Sequence, residues 1–102
     1  MILELALLQI RPGLTADFEA AFAQAQAIIA RMTGYERHEL QRCVEDDHRY
    51  ALLVWWDTLE DHTVGFRGSA EYQQWRSLLH HFYDPFPTVE HFTRVPGLTG
   101  EQ

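Results

Sequence analysis

Two segments of this chain are apolar on both of the faces that a β-strand presents. Residues 2–10 (ILELALLQI) stop at a Pro-Gly turn, and residues 50–56 (YALLVWW) combine branched and aromatic side chains. A strand on the surface of a sheet alternates apolar with polar residues, and these two do not. The chain must therefore form a sheet that is covered on both faces, and one layer of helices can cover only one of them.

The segment after the first strand has the spacing of an amphipathic helix. Apolar residues recur at helical intervals from Leu14 to Met32. Thr15 is the predicted N-cap, because its hydroxyl can accept a hydrogen bond from the first turn, and Gly34 marks the end of the helix. The first strand and this helix form the opening β-α unit.

Two strands joined by a hairpin follow that helix, and a fourth strand comes last. Tyr35–Val44 is a polar strand, the acidic stretch 45–48 is the hairpin connection, and Arg49–Asp57 is the apolar strand. Val89–Val95 is the predicted last strand, after a proline-containing loop. The apolar strand is expected at the centre of the sheet, because both of its faces need cover.

The helical region before the last strand is divided in two. Thr58 begins a short helix and is followed three residues later by Asp61, as in a capping box in which Asp replaces Glu. Gly65 and Gly68 interrupt that helix, and Ser69 is the predicted N-cap of the next one. The second helix of the fold is therefore predicted as two pieces.

The order of elements is β-α-β-β-α-β, which predicts an α+β, ferredoxin-like domain with a four-stranded antiparallel sheet. A chain of 102 residues fits one domain. Residues 1–95 are interpreted as that domain and residues 96–102 as a C-terminal tail. Because the helices cover one face, the other apolar face is expected to pack against a second copy of the chain in a homodimer.

Charge and cysteine content exclude several classes of partner and site. The net charge is −7 with neutral His and the cations form no cluster, so nucleic acid is not an expected partner. Cys43 is the only cysteine, which rules out a disulfide or a cysteine-rich metal site within one chain. No apolar stretch reaches the ~18–20 residues of a membrane span. No signal peptide is recognised either, so a cytoplasmic protein with no membrane partner is expected.

Two stretches near the middle of the chain carry a resemblance to a known family. Residues 55–62 (WWDTLEDH) are an aromatic strand end and a short helix with an inward-facing His, and residues 66–75 (FRGSAEYQQW) hold a Ser-capped helix. The sequence VEHF at residues 89–92 adds an aromatic last strand. This combination, over residues 2–95, resembles the antibiotic biosynthesis monooxygenase family. The resemblance implies a dimeric α/β barrel with a ligand cavity between sheet and helices.

The family resemblance also implies a choice of activities. Its members include monooxygenases that oxygenate aromatic polyketide phenols without a cofactor, and others that degrade haem or handle quinols. The haem-degrading members use an Asn, a Trp and a haem-ligating His, and the phenol-oxygenating members use an Asn where the helix of Leu59 and His62 begins here. This sequence contains no Asn. The set of residues used for haem degradation is therefore incomplete, and the case for phenol oxygenation is weakened. His62 is the candidate to take the place of the Asn that the phenol-oxygenating members use.

Three residues are the candidates for catalysis, namely His62, Trp75 and Tyr72. The spacing of His62 with Leu59 and Phe66 directs its ring inward. A His of near-neutral pKa could abstract the proton of a phenol and leave an electron-rich phenolate for dioxygen, or it could simply be hydrogen-bonded at a helix–sheet contact. Trp75 and Tyr72 lie on the inner stripe of the next helix, where they could stack on a flat substrate or fill the core.

The predicted substrate-binding residues are mostly aromatic and comprise Trp56, Phe66, Arg67, His81, Tyr83 and His91. Arg67 could hold a carboxylate or a developing anion, and His81 and Tyr83 would line the cavity mouth. No metal site is predicted, because the adjacent His80 and His81 diverge by ~100° on a helix and no H-E-x-x-H motif is present. No flavin or nicotinamide fingerprint is present, so no cofactor is predicted.

The leading hypothesis is a homodimeric, cofactor-independent monooxygenase that acts on a small aromatic, polyketide-like or quinol molecule. A cyclase or isomerase that uses a His–Tyr pair is the second hypothesis. A non-catalytic ligand-binding or stress-response dimer is the third. The presence of a sizeable pocket that His62 reaches would favour the two enzymes over the third hypothesis.

Overall fold

The computed structural model describes residues 1–100 and contains one four-stranded antiparallel sheet. Its elements in chain order are β1 (Ile2–Gln9), α1 (Thr15–Ile29), β2 (Tyr35–Arg42), β3 (Arg49–Trp56), a π-helical segment (Asp61–Phe66), α2 (Ala70–Leu79), a 3-10 turn (His80–Phe82) and β4 (Val89–Phe92). The strands lie in the order β2-β3-β1-β4. The ferredoxin-like α+β fold with a divided second helix is confirmed.

The two strands that are apolar on both faces are neighbours in the centre of the sheet, where β1 pairs with β3 over its whole length. One face of the sheet packs against the helices, and its buried residues share a core with α1 and α2 that includes Ala6, Leu8, Leu52, Val54, Phe18, Phe22, Trp75 and Leu79. The opposite face, which we call the outer face, carries the alternate residues Leu3, Leu5, Leu7, Leu53, Trp55 and Phe92. Within residues 1–100 no helix packs on the outer face, and Leu7 is 47% exposed.

The strands are slightly shorter than predicted. β2 ends at Arg42, two residues early, and β4 covers only Val89–Phe92 of the predicted Val89–Val95, because it pairs with just four residues of β1. Residues 93–100 follow as an exposed segment outside any element. The predicted tail begins within this segment, and residues 101 and 102 lie outside the described residues. None of the helices in residues 1–100 has the length and apolar character needed to cross a membrane.

Two of the three predicted N-caps are confirmed. Thr58 Oγ1 and Ser69 Oγ each accept a hydrogen bond from the backbone N–H three residues further on, both at 3.1 Å. The prediction for Thr15 is wrong, because α1 already includes Thr15 and Leu14 occupies the cap position without a side-chain bond. Leu14 packs against the core, and its carbonyl accepts the backbone N–H of Phe18 at 2.8 Å.

The π-helical segment, which the sequence did not predict, is held at both ends by glycines. Gly34 has φ +83°, and a Cβ at that position would lie 2.0 Å from a carboxylate oxygen of Asp61. A Cβ at Gly68 would lie 2.7 Å from the carbonyl oxygen of Val64. At both positions the segment that presents His62 comes too close for a side chain, and glycine accommodates this approach.

Candidate active site

A cavity of about 440 Å³ lies between the inner face of the sheet and the helical layer. Its walls come from three parts of the fold, namely the sheet (Glu4, Ala6, Leu8, Leu52, Val89), the π-helical segment with the residue after it (His62, Phe66, Arg67), and α2 with the following turn and loop (Tyr72, Trp75, His80, Tyr83, Phe86, Pro87). A space of this size is within the range of small-molecule sites, which is roughly 300–1,000 Å³. The cavity is therefore the candidate active site.

His62 is held in one orientation by contacts on every side. Its side chain is buried, and its ring stacks on Trp56 with the ring centroids 5.4 Å apart. Its Nδ1 lies 2.8 Å from His91 Nε2, and its Nε2 lies 3.3 Å from Glu4 Oε1. Both ring nitrogens of His62 therefore have protein partners.

Glu4 is the residue of this site that the sequence analysis missed. It lies on the inner face of β1, opposite Val54 on one side and His91 on the other, and is only 6% exposed. Its Oε1 accepts a hydrogen bond of 2.9 Å from the indole N–H of Trp56. A charged residue inside an apolar strand was a signal, because a carboxylate is rarely buried without partners. The partners are distant in sequence and could not be read from it.

Burial moves the pKa values of Glu4 and His62 in opposite directions. It raises the pKa of Glu4 to about 7, although the bond from Trp56 and the positive charge of Arg67 act against the rise. Burial also lowers the pKa of His62 to about 3, and the charges of Arg67 and His91 lower it further. Each group is thus driven towards its uncharged form, as expected in a region of low polarity.

Aromatic side chains make one wall of the cavity. The ring of Phe66 meets Tyr72 edge-on at 5.2 Å and Trp75 edge-on at 5.6 Å, measured between centroids. Trp75 is buried and also contacts Phe22 of the core, so it is both wall and core. Tyr83 is buried on the loop side, and burial raises the pKa of its hydroxyl. This wall suits a flat ring system, which can stack or pack edge-on against it.

Arg67 brings a positive charge to the rim of the cavity. It directly follows the π-helical segment, it is exposed, and it is the only Arg or Lys among the lining residues. Its charge reaches Glu4, His62 and His91, whose pKa values it lowers. A negative charge that develops on a bound molecule would be stabilised by the same field.

The structure brings most of the predicted site residues together. His62, Phe66, Arg67, Tyr72, Trp75 and Tyr83 line the cavity. Trp56 and His91 lie behind His62 and contact its ring. The prediction that His81 lines the cavity is wrong, because His81 is exposed and its neighbour His80 lines the cavity instead. The divergence of adjacent side chains along a helical turn explains why only one of the two can face inward.

One group of potential metal ligands occurs in residues 1–100, away from the cavity wall. It consists of Asp46, Asp47 and His48 in the connection between β2 and β3. His48 Nδ1 contacts Asp47 Oδ1 at 2.9 Å, which is the distance of an ordinary surface ion pair. Exposed acidic clusters of this kind are common in hairpin connections, and this one has no link to the cavity.

Comparison with known proteins agrees with the fold. A model of the antibiotic biosynthesis monooxygenase family matches residues 1–78. The chain belongs to this family. It is also 60% identical over 95 residues to YczJ, an uncharacterised protein of Bacillus subtilis (strain 168), with 93% of this chain and 100% of that protein covered.

Solved structures of the family extend the comparison. A protein of Bordetella bronchiseptica described as belonging to the same family is 40% identical, with a TM-score of 0.88 and coverage of 92% of this chain and 96% of that chain. SnoaB, a cofactor-independent oxygenase from Streptomyces nogalater, is 24% identical, with a TM-score of 0.75 and coverage of 97% of each chain. The likeness to SnoaB is one of fold. The predicted family membership is confirmed.

Proposed function

We propose that the protein is a monooxygenase that oxidises a small aromatic molecule in this cavity without a cofactor. The observation that carries the proposal is that a buried acid–base pair, Glu4 and His62, opens into a space lined mainly by aromatic and aliphatic side chains. Such a site can hold a flat apolar molecule and remove one proton from it. Polyketide-like phenols and quinols have this combination of a flat ring system and an acidic hydroxyl.

The proposed reaction uses electrons that the substrate itself supplies. Loss of the phenolic proton gives a phenolate, which is electron-rich enough to react with dioxygen. When a methylene between two rings is oxidised, two C–H bonds and the O–O bond break and a C=O bond forms. One oxygen atom stays in the product as the carbonyl oxygen, and the other leaves with the two hydrogens as water. Atoms and electrons balance with dioxygen as the only co-reactant.

The side chains have separate roles in this scheme. The Glu4–His62 pair supplies the base, and Tyr72 and Trp75 hold the ring of the substrate. Arg67 faces the anion that forms, where a fixed positive charge lowers the energy of the charged state. SnoaB, which shares the fold, is described as a cofactor-independent oxygenase, and this supports the proposed class of reaction.

A second candidate function is a cyclase or isomerase that uses a His–Tyr pair. The observation that favours it is that His80 and Tyr83 both line the cavity with their ring centroids 5.6 Å apart. Such a pair could move a proton between two carbons of a polyketide-like substrate. This reaction needs no dioxygen, so product formation under anaerobic conditions would favour it over the oxygenase.

We also propose that the working unit is a homodimer joined through the outer faces of two sheets. The outer face presents apolar side chains that no helix in residues 1–100 covers, among them Leu7 and Phe92, which are 47% and 46% exposed. An apolar sheet face left in water is unfavourable, and two-fold association is the commonest way of covering it. Light scattering after gel filtration should give twice the mass of one chain; a monomeric mass over the micromolar range would contradict the proposal.

The function is tested by dioxygen uptake with a panel of anthrone and quinol substrates. We expect uptake with at least one of them, and incorporation of one atom from labelled dioxygen into the product. The variant His62→Ala should lower kcat/KM by about 10²–10⁴-fold, the usual contribution of general acid–base catalysis, because it breaks the Glu4–His62 pair. His81→Ala is the matched control, because His81 is exposed and outside the cavity wall, and it should keep the original rate. A folded protein that is inactive with the whole panel would refute the oxygenase.

A further inference from the structure

We propose that Glu4, rather than His62, receives the proton of the substrate, and that His62 and His91 carry this proton to solvent. This proposal rests on the proposed function, since it names the base in the same cavity. It assigns Glu4 as a catalytic residue and gives His62 and His91 the role of a proton path.

Glu4 is a cavity residue with one carboxylate edge held by the protein. Its Oε1 accepts the indole N–H of Trp56 at 2.9 Å and lies 3.3 Å from His62 Nε2. The residue also belongs to the cavity wall. A carboxylate placed in this way can accept a proton from a bound hydroxyl while Trp56 keeps its orientation. Burial raises the pKa of Glu4 to about 7, so it can both accept and release a proton near neutral pH.

His62 does not have a nitrogen free for the substrate. One ring nitrogen faces Glu4 and the other faces His91, and stacking on Trp56 holds the ring in that plane. Burial also lowers the pKa of His62 to about 3, which makes a persistent imidazolium unfavourable. A neutral imidazole between two partners is suited to passing a proton on, because it accepts at one nitrogen and donates from the other.

The contacts among the three side chains allow two patterns of proton placement. When Glu4 is ionised, His62 Nε2–H donates to the carboxylate, and His62 Nδ1 accepts from His91 Nε2–H. When Glu4 is protonated, its hydroxyl donates to His62 Nε2, and His62 Nδ1–H donates to His91 Nε2. In the passage from the second pattern to the first, the Glu4 hydroxyl gives its proton to His62 Nε2. At the same time His62 Nδ1 gives its proton to His91 Nε2. The proton thus gained at Glu4 is released from the far nitrogen of His91.

His91 is placed to be the exit of this path. It lies on the edge strand β4, directly across from Glu4 in the register of β1 and β4. It is only partly buried and is not among the residues of the cavity wall. Its ring contacts His62 with the centroids 5.0 Å apart. The chain of contacts therefore runs from the cavity through His62 to the outside of the domain.

The other charged or titratable groups near Glu4 come from several elements, and α2 with the turn after it adds Tyr72 and His80 to the same cavity wall. From the π-helical segment and the residue after it come His62 and Arg67, and Arg67 acts against the rise of the Glu4 pKa. From β4 comes His91, and from the loop side comes Tyr83, whose pKa the charge of Glu4 helps to raise. β3 contributes no ionisable group here, only the indole N–H of Trp56. The ionised fraction of Glu4 should accordingly control the rise of activity with pH around 7.

The test of the base compares Glu4→Gln with Glu71→Gln, a control on the exposed surface of α2. Glutamine keeps an acceptor for Trp56 but cannot take a proton. We expect kcat/KM of Glu4→Gln to fall at least about 100-fold and the rise of activity near pH 7 to disappear. Glu71→Gln should keep the original kcat/KM and the original rise. If Glu4→Gln stays within a few-fold of the original rate while His62→Ala is inactive, Glu4 is not the base. Should Glu4→Gln fail to fold, Glu4→Asp, which withdraws the carboxylate from His62, must show the same loss.

The proton path is tested with His91→Ala. We expect a lower kcat with KM nearly unchanged, and recovery of kcat when free imidazole is added, because imidazole can replace the missing ring. A purely structural role for His91 would change stability without such recovery, and that result would overturn the path.

A measurement without turnover separates this proposal from the proposed function. Infrared spectroscopy of the unmodified protein should show a protonated carboxyl band that titrates near pH 7 and is lost in Glu4→Gln. The ¹⁵N resonances of His62 should change tautomer over the same pH range. If the titration is present and no substrate is oxidised, the oxygenase fails and the proton path stands. If no carboxyl band titrates near pH 7, the assignment of Glu4 fails whatever the activity.

Discussion

The burial of Glu4 has a thermodynamic consequence that can be measured without a substrate. Its pKa rises from 4.5 to about 7 on folding, so the native state binds this proton more tightly than the unfolded chain does. Between these two pH values the unfolded state carries fewer protons, and the stability of the protein must fall as the pH rises. This pKa shift lowers the free energy of unfolding by about 3 kcal/mol. The loss is complete above pH 7 and absent below pH 4.5.

The variant Glu4→Gln should remove this dependence. Glutamine can accept the hydrogen bond of Trp56 and donate to His62, so below pH 4.5 we expect the variant and the original protein to differ by only about 1 kcal/mol. From pH 4.5 to 8 the free energy of unfolding of the variant, relative to the original, should rise by about 3 kcal/mol. The comparison cancels the many surface groups that titrate in both proteins.

Urea unfolding followed by tryptophan fluorescence at pH 4.5, 6, 7 and 8 measures this difference. The protein concentration must be held constant, because association would contribute to stability. Glu71→Gln should show no such trend, since Glu71 is exposed on α2. A difference between Glu4→Gln and the original protein that stays constant with pH, or that falls as pH rises, would refute the reasoning from burial.

Three further predictions concern the core, one turn and the outer face. Trp75→Ala should cost about 3–5 kcal/mol in urea unfolding, because Trp75 is buried against Phe22 and Phe66; a loss below about 1 kcal/mol would mean that it serves only the cavity. Gly34→Ala should be more destabilising than Gly13→Ala, since both have positive φ but only Gly34 has a neighbour within 2.0 Å; equal losses would contradict this. Leu53→Asp should give monomers by light scattering, and a persistent dimer would exclude the outer face as the interface.

Local sequence features were sufficient to predict the elements and their order. The apolar character of residues 2–10 and 50–56 on both faces required central strands, and the structure places them side by side. The hydroxyls of Thr58 and Ser69 each accept a hydrogen bond from a backbone N–H only three residues away, so their capping roles could be predicted from spacing alone. Thr15 was wrongly predicted as a cap because packing of the preceding residue against the core set the start of α1.

The candidate site was predicted only in part. The spacing of His62 with Phe66 correctly directed both side chains inward, whereas the choice between His80 and His81 depended on the phase of a short turn. The π-helical segment is not a consequence of local preference. It is accompanied by the close approach of Asp61 to Gly34, which exists only after the chain has folded.

The sequence by itself determined a sheet with two apolar faces, a single layer of helices and the inward-facing His62. Only the tertiary structure decided that Glu4, His62 and His91 form one continuous chain of polar contacts. Glu4 and His62 are 58 positions apart, and Glu4 and His91 face each other through the register of β1 and β4. Side-chain periodicity can tell which face of a strand a residue occupies, but pairing between distant segments decides which residues meet there. That is why the apolar sheet could be read from the sequence and the acid–base pair inside it could not.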